Sequence, residues 1–263
     1  LPMGVYDIIV FNRSFNDFSN IAFRGNSYET LEAYARKVET RVDKKTRVET
    51  RTIISSPDEL AAATLEGFTV TEDMLGNYSQ TTYGRTAPSR SSEETPDGLY
   101  HLHFVPKKLT REVSAVLHIE GLNNIRSATC RLGGVAESIF LATGKTSANT
   151  VTQEFTPSNP EFSPGSPFNG TLSCEFEIFG LNVIDNNNLH LDALLVDGKT
   201  EFEGDCTNVK ITENDDGTGS ITLILEASTE KVPDVKPEGG AGSGFDVDVD
   251  GWGNEINTDI PIN

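Results

Sequence analysis

The sequence has no apolar run near the ~20 residues that a bilayer-spanning helix needs. It also opens without a secretory leader: Leu1 leads almost directly into strand-like sequence, with no charged step or apolar h-region before it. Basic charge is scarce. With 21 Lys and Arg against 40 Asp and Glu, the net charge of −19 repels phosphate backbones and anionic lipid, which argues against nucleic acid as a partner. Catalytic signatures are missing too, among them the Gly-x-Ser-x-Gly elbow, the phosphate-cradling glycine loop and the His-Glu-x-x-His helix. The glycines at 239–244 follow no strand leading into a helix, so a nucleotide reading fails. Paired carboxylates alone do not separate a glycosidase from an acidic surface. The chain is therefore read as no enzyme, with no cofactor. Only three cysteines occur, Cys130, Cys174 and Cys206, so they cannot all pair with one another. The residues around Cys130 and Cys174 alternate, which points both thiols into a core; a disulfide between two of the three stays open.

What is present reads as β structure. Hydrophobic residues make up 36% and glycines add 23 positions, enough for a core, and 263 residues suit two domains at ~150 residues each. Near the start, Tyr6, Ile8 and Val10 form a strand with apolar residues on its other side as well. Asn26 and Glu29 resemble a capping box, and Tyr28, Leu31, Tyr34, Ala35 and Val38 form a helical stripe, predicting one short helix over 27–38. A strand follows at 47–54, a turn or short helix over 56–65, and a strand at 68–71. Residues 84–98, rich in Pro, Ser and charge, read as an exposed loop before a strand at 99–105. Pro106 ends that strand and Lys107-Lys108 resets the chain.

Beyond it, Val113, Ala115, Leu117 and Ile119 alternate with polar neighbours, as do Ala128, Cys130 and Leu132, and then Leu172, Cys174, Phe176 and Ile178. Four prolines between 156 and 170 mark a segment unsuited to a sheet centre. Asp197-Gly198 signals a type I′ hairpin, and ENDDGTG joins another pair of strands. The expected fold is mainly β: two antiparallel β-sandwich domains, 1–107 with its helix and 108–263 with a terminal strand segment over 245–262. Asp234 to Gly244 reads as a flexible linker without apolar anchors.

The parts around the reset, Pro106, Lys107-Lys108, Val113 to Ile119, Gly121-Leu122, Ala128 to Gly134 and Leu141-Ala142-Thr143-Gly144, resemble the fimbrillin-like (FimA/FimB-type) fimbrial subunits and anchors of Bacteroidetes. Gly4, Tyr6, Asp7 and Asn12 match an opening element of a lipoprotein branch of that superfamily. The resemblance implies transthyretin-like, Greek-key sandwiches. It also implies export to the outer membrane or fimbrium and contacts with other fimbrial subunits or surface ligands. An export signal, a lipidated cysteine and a further strand are expected upstream of Leu1, so membrane contact would come only through that lipid anchor.

Candidate binding residues follow from the terminal strand, where Phe245, Val247 and Val249 alternate with acids and Trp252 sits between two glycines. Such a strand either docks in its own sandwich or adds to a partner's open sheet edge. The exposed-platform alternative is a glycan-binding module of a polysaccharide-utilisation system, using Trp252, Tyr78 or Tyr83. Asp246, Asp248, Asp250 and Gly251 imitate half of a calcium loop, but Asn257 stands where a bidentate Glu is required. His101 and His103 share one strand face, and His118 and His190 show no partner in sequence; no metal site is assigned. Asn12, Asn77 and Asn169 begin glycosylation-like triplets.

Overall fold

The structure is a computed structural model and describes residues 1–42, 50–75, 92–94, 100–182, 187–215, 217 and 221–237. In chain order the first strands are Gly4–Phe11 (β1), Ile21–Arg24 (β2), Glu32–Ala35 (β3), Lys37–Val42 (β4), Thr50–Ile54 (β5) and Ala61–Val70 (β6). A four-residue helix, Glu72–Leu75, precedes Ser92–Glu94 (β7), Tyr100–Leu102 (β8) and Lys107–Lys108 (β9). Then come Arg111–Glu120 (β10), Ile125–Ala136 (β11), Ser138–Phe140 (β12), Thr150–Phe155 (β13), Asn159–Phe162 (β14) and Asn169–Ile178 (β15). Leu189–Leu195 (β16), Glu201–Asp205 (β17), Thr207–Asp215 (β18) and Ile221–Ser228 (β19) complete the series. The fold is mainly β, as the alternation implied.

Two large sheets dominate. One has the order β14-β15-β10-β19-β18 and the other β17-β16-β11-β13-β5-β4. Val113, Ala115, Leu117 and Ile119 of β10 are buried, as are Cys130 and Leu132 of β11 and Leu189, Leu191 and Leu195 of β16, so each sheet turns its apolar period inward. Phe155 and Phe176 stack between the sheets with centroids 4.3 Å apart. Pairing is antiparallel except for β10 with β19 and β5 with β13, which run parallel.

Sheet pairing runs across position 107, the expected limit of the first domain. β5 joins the six-stranded sheet through Ile53 and Ile54 opposite Thr152 and Gln153, and β12 extends the β2–β3 hairpin through Ser138 opposite Tyr34. One hydrophobic cluster contains Phe18, Ile21, Ile54 and Leu60 together with Leu117, Leu191 and Val232. The apolar residues of β5 need a partner on the far side of Pro106, a long-range pairing that local patterning does not encode.

The predicted helix over 27–38 is not formed. Ser27 and Thr30 bond through their hydroxyls at 2.7 Å, and the amides of Asn26 and Ser27 donate to Thr30 Oγ1, making a tight turn in place of a first helical turn. After it Ala33 and Ala35 are buried while Glu32 and Tyr34 are half-buried. That is a period of two, and the small alanines let β3 lie close under its neighbours. The segment 61–65, read as turn or helix, is the start of β6. Pro160 sits in β14, an edge strand, where its missing N–H costs no ladder bond. Asp197-Gly198 is not a type I′ turn, because among the described non-glycine residues only Asn208 has positive φ. Instead Asp197 accepts from the amides of Lys199 and Thr200, and Gly198 alone takes the left-handed conformation at φ 71°. The expected linker is anchored at its start: Asn124 Nδ2 donates to Asp234 Oδ1 at 3.0 Å and Val235 packs on the core.

Glu32 ties the early hairpin to β12. Its carboxylate pairs with Arg24 and accepts from the buried Ser138 hydroxyl at 2.6 Å. Burial pushes this carboxyl up, but the bonds from Arg24 and Ser138 outweigh it and hold the group below its ordinary range. A depressed carboxyl contributes stability above its unfolded pKa and loses it as pH falls through the folded value. Glu32→Gln should therefore lower Tm near pH 7, and the gap to the wild type should close as acid protonates Glu32. Thermal melts across pH check this.

Candidate functional site

Two surfaces carry features that a fold alone does not require. The first is an edge. β1 pairs with β6 on one side and, among the described residues, has no neighbour on the other. Open edges invite another strand, and proteins blunt them with charge, proline or brevity. β9 is two lysines, β14 contains Pro160, β17 carries Glu201, Glu203 and Asp205, and β18 carries Lys210, Glu213 and Asp215. β12 is three residues long. By contrast β1, GVYDIIVF, has eight residues and one charge.

Asn12 N donates to Ala61 O at 3.1 Å and the register continues from Phe11 opposite Ala62 to Ile8 opposite Leu65. In an antiparallel pair the amides alternate in direction, so those of Ile9 and Phe11 point away from β6. Exposed apolar side chains flank this edge, with Met3 63% and Val5 70% accessible. Beneath it Phe11, Phe15, Phe18 and Phe23 form an aromatic cluster with ring centroids 4.6 to 6.2 Å apart, a rigid support for the strand.

The second surface is the outer face of the six-stranded sheet. Because Leu189, Leu191, Ala193 and Leu195 turn inward, His190 and Asp192 turn outward. Antiparallel pairing sets His190 opposite Asp205 and Asp192 opposite Glu203, with Arg131 beside His190 on β11 and Glu154 beside Arg131 on β13. Arg131 Nε donates to Glu154 Oε2 at 3.0 Å and its terminal nitrogen pairs with Asp192 Oδ2. His190 lies 2.8 Å from Asp205 Oδ1 through Nδ1 and 3.2 Å from Asp192 Oδ1 through Nε2. His190, without a visible partner in sequence, thus has two carboxylates in contact.

The other candidates fall differently. Phe245, Val247, Val249 and Trp252 lie outside the described residues, as do the acidic calcium-like run, Tyr78, Tyr83 and Asn77. His101, His103 and His118 are exposed. Asn12 uses its side-chain amide to bond Ala61 N and Glu59 O, and Asn169 accepts from Gly121 N. The three cysteines are free. Burial pushes the thiols of Cys174 and Cys206 up to about 11, helped by Glu175 and Asp205 respectively, so neither is a ready nucleophile at neutral pH. No described helix is long and apolar enough to cross a membrane.

These features define a mainly-β protein in which the outer edge of β1 is unpaired among the described residues. The chain belongs to the DUF5119 family, a domain of unknown function, whose model matches residues 1–156; that span passes through Pro106 and ends just beyond β13. No curated protein matches the sequence. Among solved structures it is similar to a candidate adhesin of Bacteroides ovatus, at 16% identity and TM-score 0.49, covering 78% of this chain and 66% of that one. It is also similar to a candidate adhesin of Bacteroides thetaiotaomicron, at 11% identity and TM-score 0.36, covering 77% of this chain and 60% of that one. The chain thus spans less than two thirds of the length of either protein.

Proposed function

We propose that this chain is an exported adhesion protein of the cell surface, fimbrillin-like, acting as a fimbrial subunit or anchor. It binds by strand addition and performs no chemical step. The open side of β1 carries this reading: eight residues, one charge, outward amides at Ile9 and Phe11, and exposed Met3 and Val5 at the start of the strand. Main-chain bonds along such an edge supply affinity, and pockets for alternate side chains supply specificity. The partners are other fimbrial subunits or a surface ligand, and the setting is the outer membrane or fimbrium. Phe245, Val247, Val249 and Trp252 are the proposed contact residues of the terminal segment in the same assembly.

Cells displaying the full chain should adhere or assemble, and Met3→Lys with Val5→Lys should reduce this at least tenfold. Both side chains are exposed, so stability should change by no more than about 0.5 kcal/mol. Val247→Asp with Val249→Asp tests the terminal segment in the same assay. Undiminished adhesion by the folded lysine variant would overturn the edge mechanism.

A further inference from the structure

We propose that His190, Asp192 and Glu203 form a binding site for a divalent transition-metal ion of the zinc class, with Asp205 as the positioning residue for the imidazole. One ligand atom from each of the three lies within 4.8 Å of the others. Ligands of a tetrahedral zinc ion sit 2.0–2.2 Å from the metal and so about 3.3–3.6 Å from each other. The remaining closure falls to Glu203, which is exposed on the edge strand β17 and has a long side chain free to swing inward.

The contacts of the imidazole point the same way. Asp205 Oδ1, 2.8 Å from Nδ1, accepts the proton there, the arrangement in which a carboxylate orients a metal-bound histidine. That tautomer leaves a lone pair on Nε2, facing Asp192 Oδ1 at 3.2 Å. A separation of 3.2 Å is close to that of two ligand atoms on one tetrahedral zinc ion. Arg131 holds the other oxygen, Asp192 Oδ2, and is itself braced by Glu154, which keeps Oδ1 turned toward the imidazole. Four carboxylates, Glu154, Asp192, Glu203 and Asp205, face one guanidinium, so the patch retains negative charge for a dication. A site of oxygens alone would suit calcium or magnesium, but the imidazole nitrogen selects a transition metal. The three ligands leave a coordination position open to solvent beside the sheet edge.

The test uses the full chain without a metal-binding tag, stripped with chelator and dialysed against Zn²⁺, with Co²⁺ as a spectroscopic probe. One ion per chain, Co²⁺ absorption bands of tetrahedral type and a Tm raised by Zn²⁺ are expected. His190→Ala and Glu203→Gln should each weaken binding at least tenfold and remove the Zn²⁺-dependent rise in Tm. Should His190→Ala fail to fold, Glu203→Gln decides, since its side chain is exposed. Absence of stoichiometric Zn²⁺ binding, or binding unchanged in Glu203→Gln, would overturn the site. Equal preference for Ca²⁺ with no dependence on His190 would overturn it as well.

Discussion

Ile54→Ala is expected to destabilise the protein by about 2–5 kcal/mol, the range for emptying a buried aliphatic site. For a chain of this size each kcal/mol lowers Tm by roughly 2–4 °C. Ile54 is buried and lies between Lys37 on β4 and Gln153 on β13 in the register of the six-stranded sheet. Its cavity would open where strands from both sides of Pro106 meet, inside the apolar cluster that includes Leu117 and Leu191. The whole unfolding transition should therefore move. Calorimetry of wild type and variant checks this, and a second transition left in place would show that the two parts unfold independently.

Gly25→Ala should be nearly as damaging through a different cause. Gly25 turns the chain between β2 and β3 at φ +102°, a conformation that costs an L-residue about 1–3 kcal/mol. An added Cβ would also sit 2.1 Å from Thr30 O and 2.5 Å from its carbonyl carbon, so the backbone must shift. That shift pulls on β3 and on the Glu32 bonds to Arg24 and Ser138. Gly67 supplies the control, with φ +66° and open space around its missing Cβ. Gly67→Ala carries the conformational cost without the clash, so Gly25→Ala should show the larger drop in Tm.

The strands of the later part were legible because Val113 to Ile119 and Leu172 to Ile178 alternate so regularly that their inward faces are fixed before any partner is known. The helix prediction over 27–38 failed because Tyr28, Leu31, Tyr34 and Ala35 satisfy a helical stripe while Ala33 and Ala35 satisfy a strand. Tertiary pairing with β2 and β12 decided between them. The joining of β5 to β13 had no local signal. The His190 cluster does have one: a two-residue hairpin centred on Asp197-Gly198 sets Asp192 opposite Glu203 and His190 opposite Asp205. The edge position that β1 has among the described residues was illegible, since a strand apolar on both sides reads as central; the sheet order alone shows it.

The proposed grip of partners along β1 is decided by backbone amide hydrogen exchange, compared between the free chain and the chain in its surface assembly. Exchange at Ile9 and Phe11 should slow markedly on assembly while the inward amides of Val10 and Asn12 change little. Unaltered exchange throughout Gly4–Phe11, with new protection confined to other strands, would contradict it.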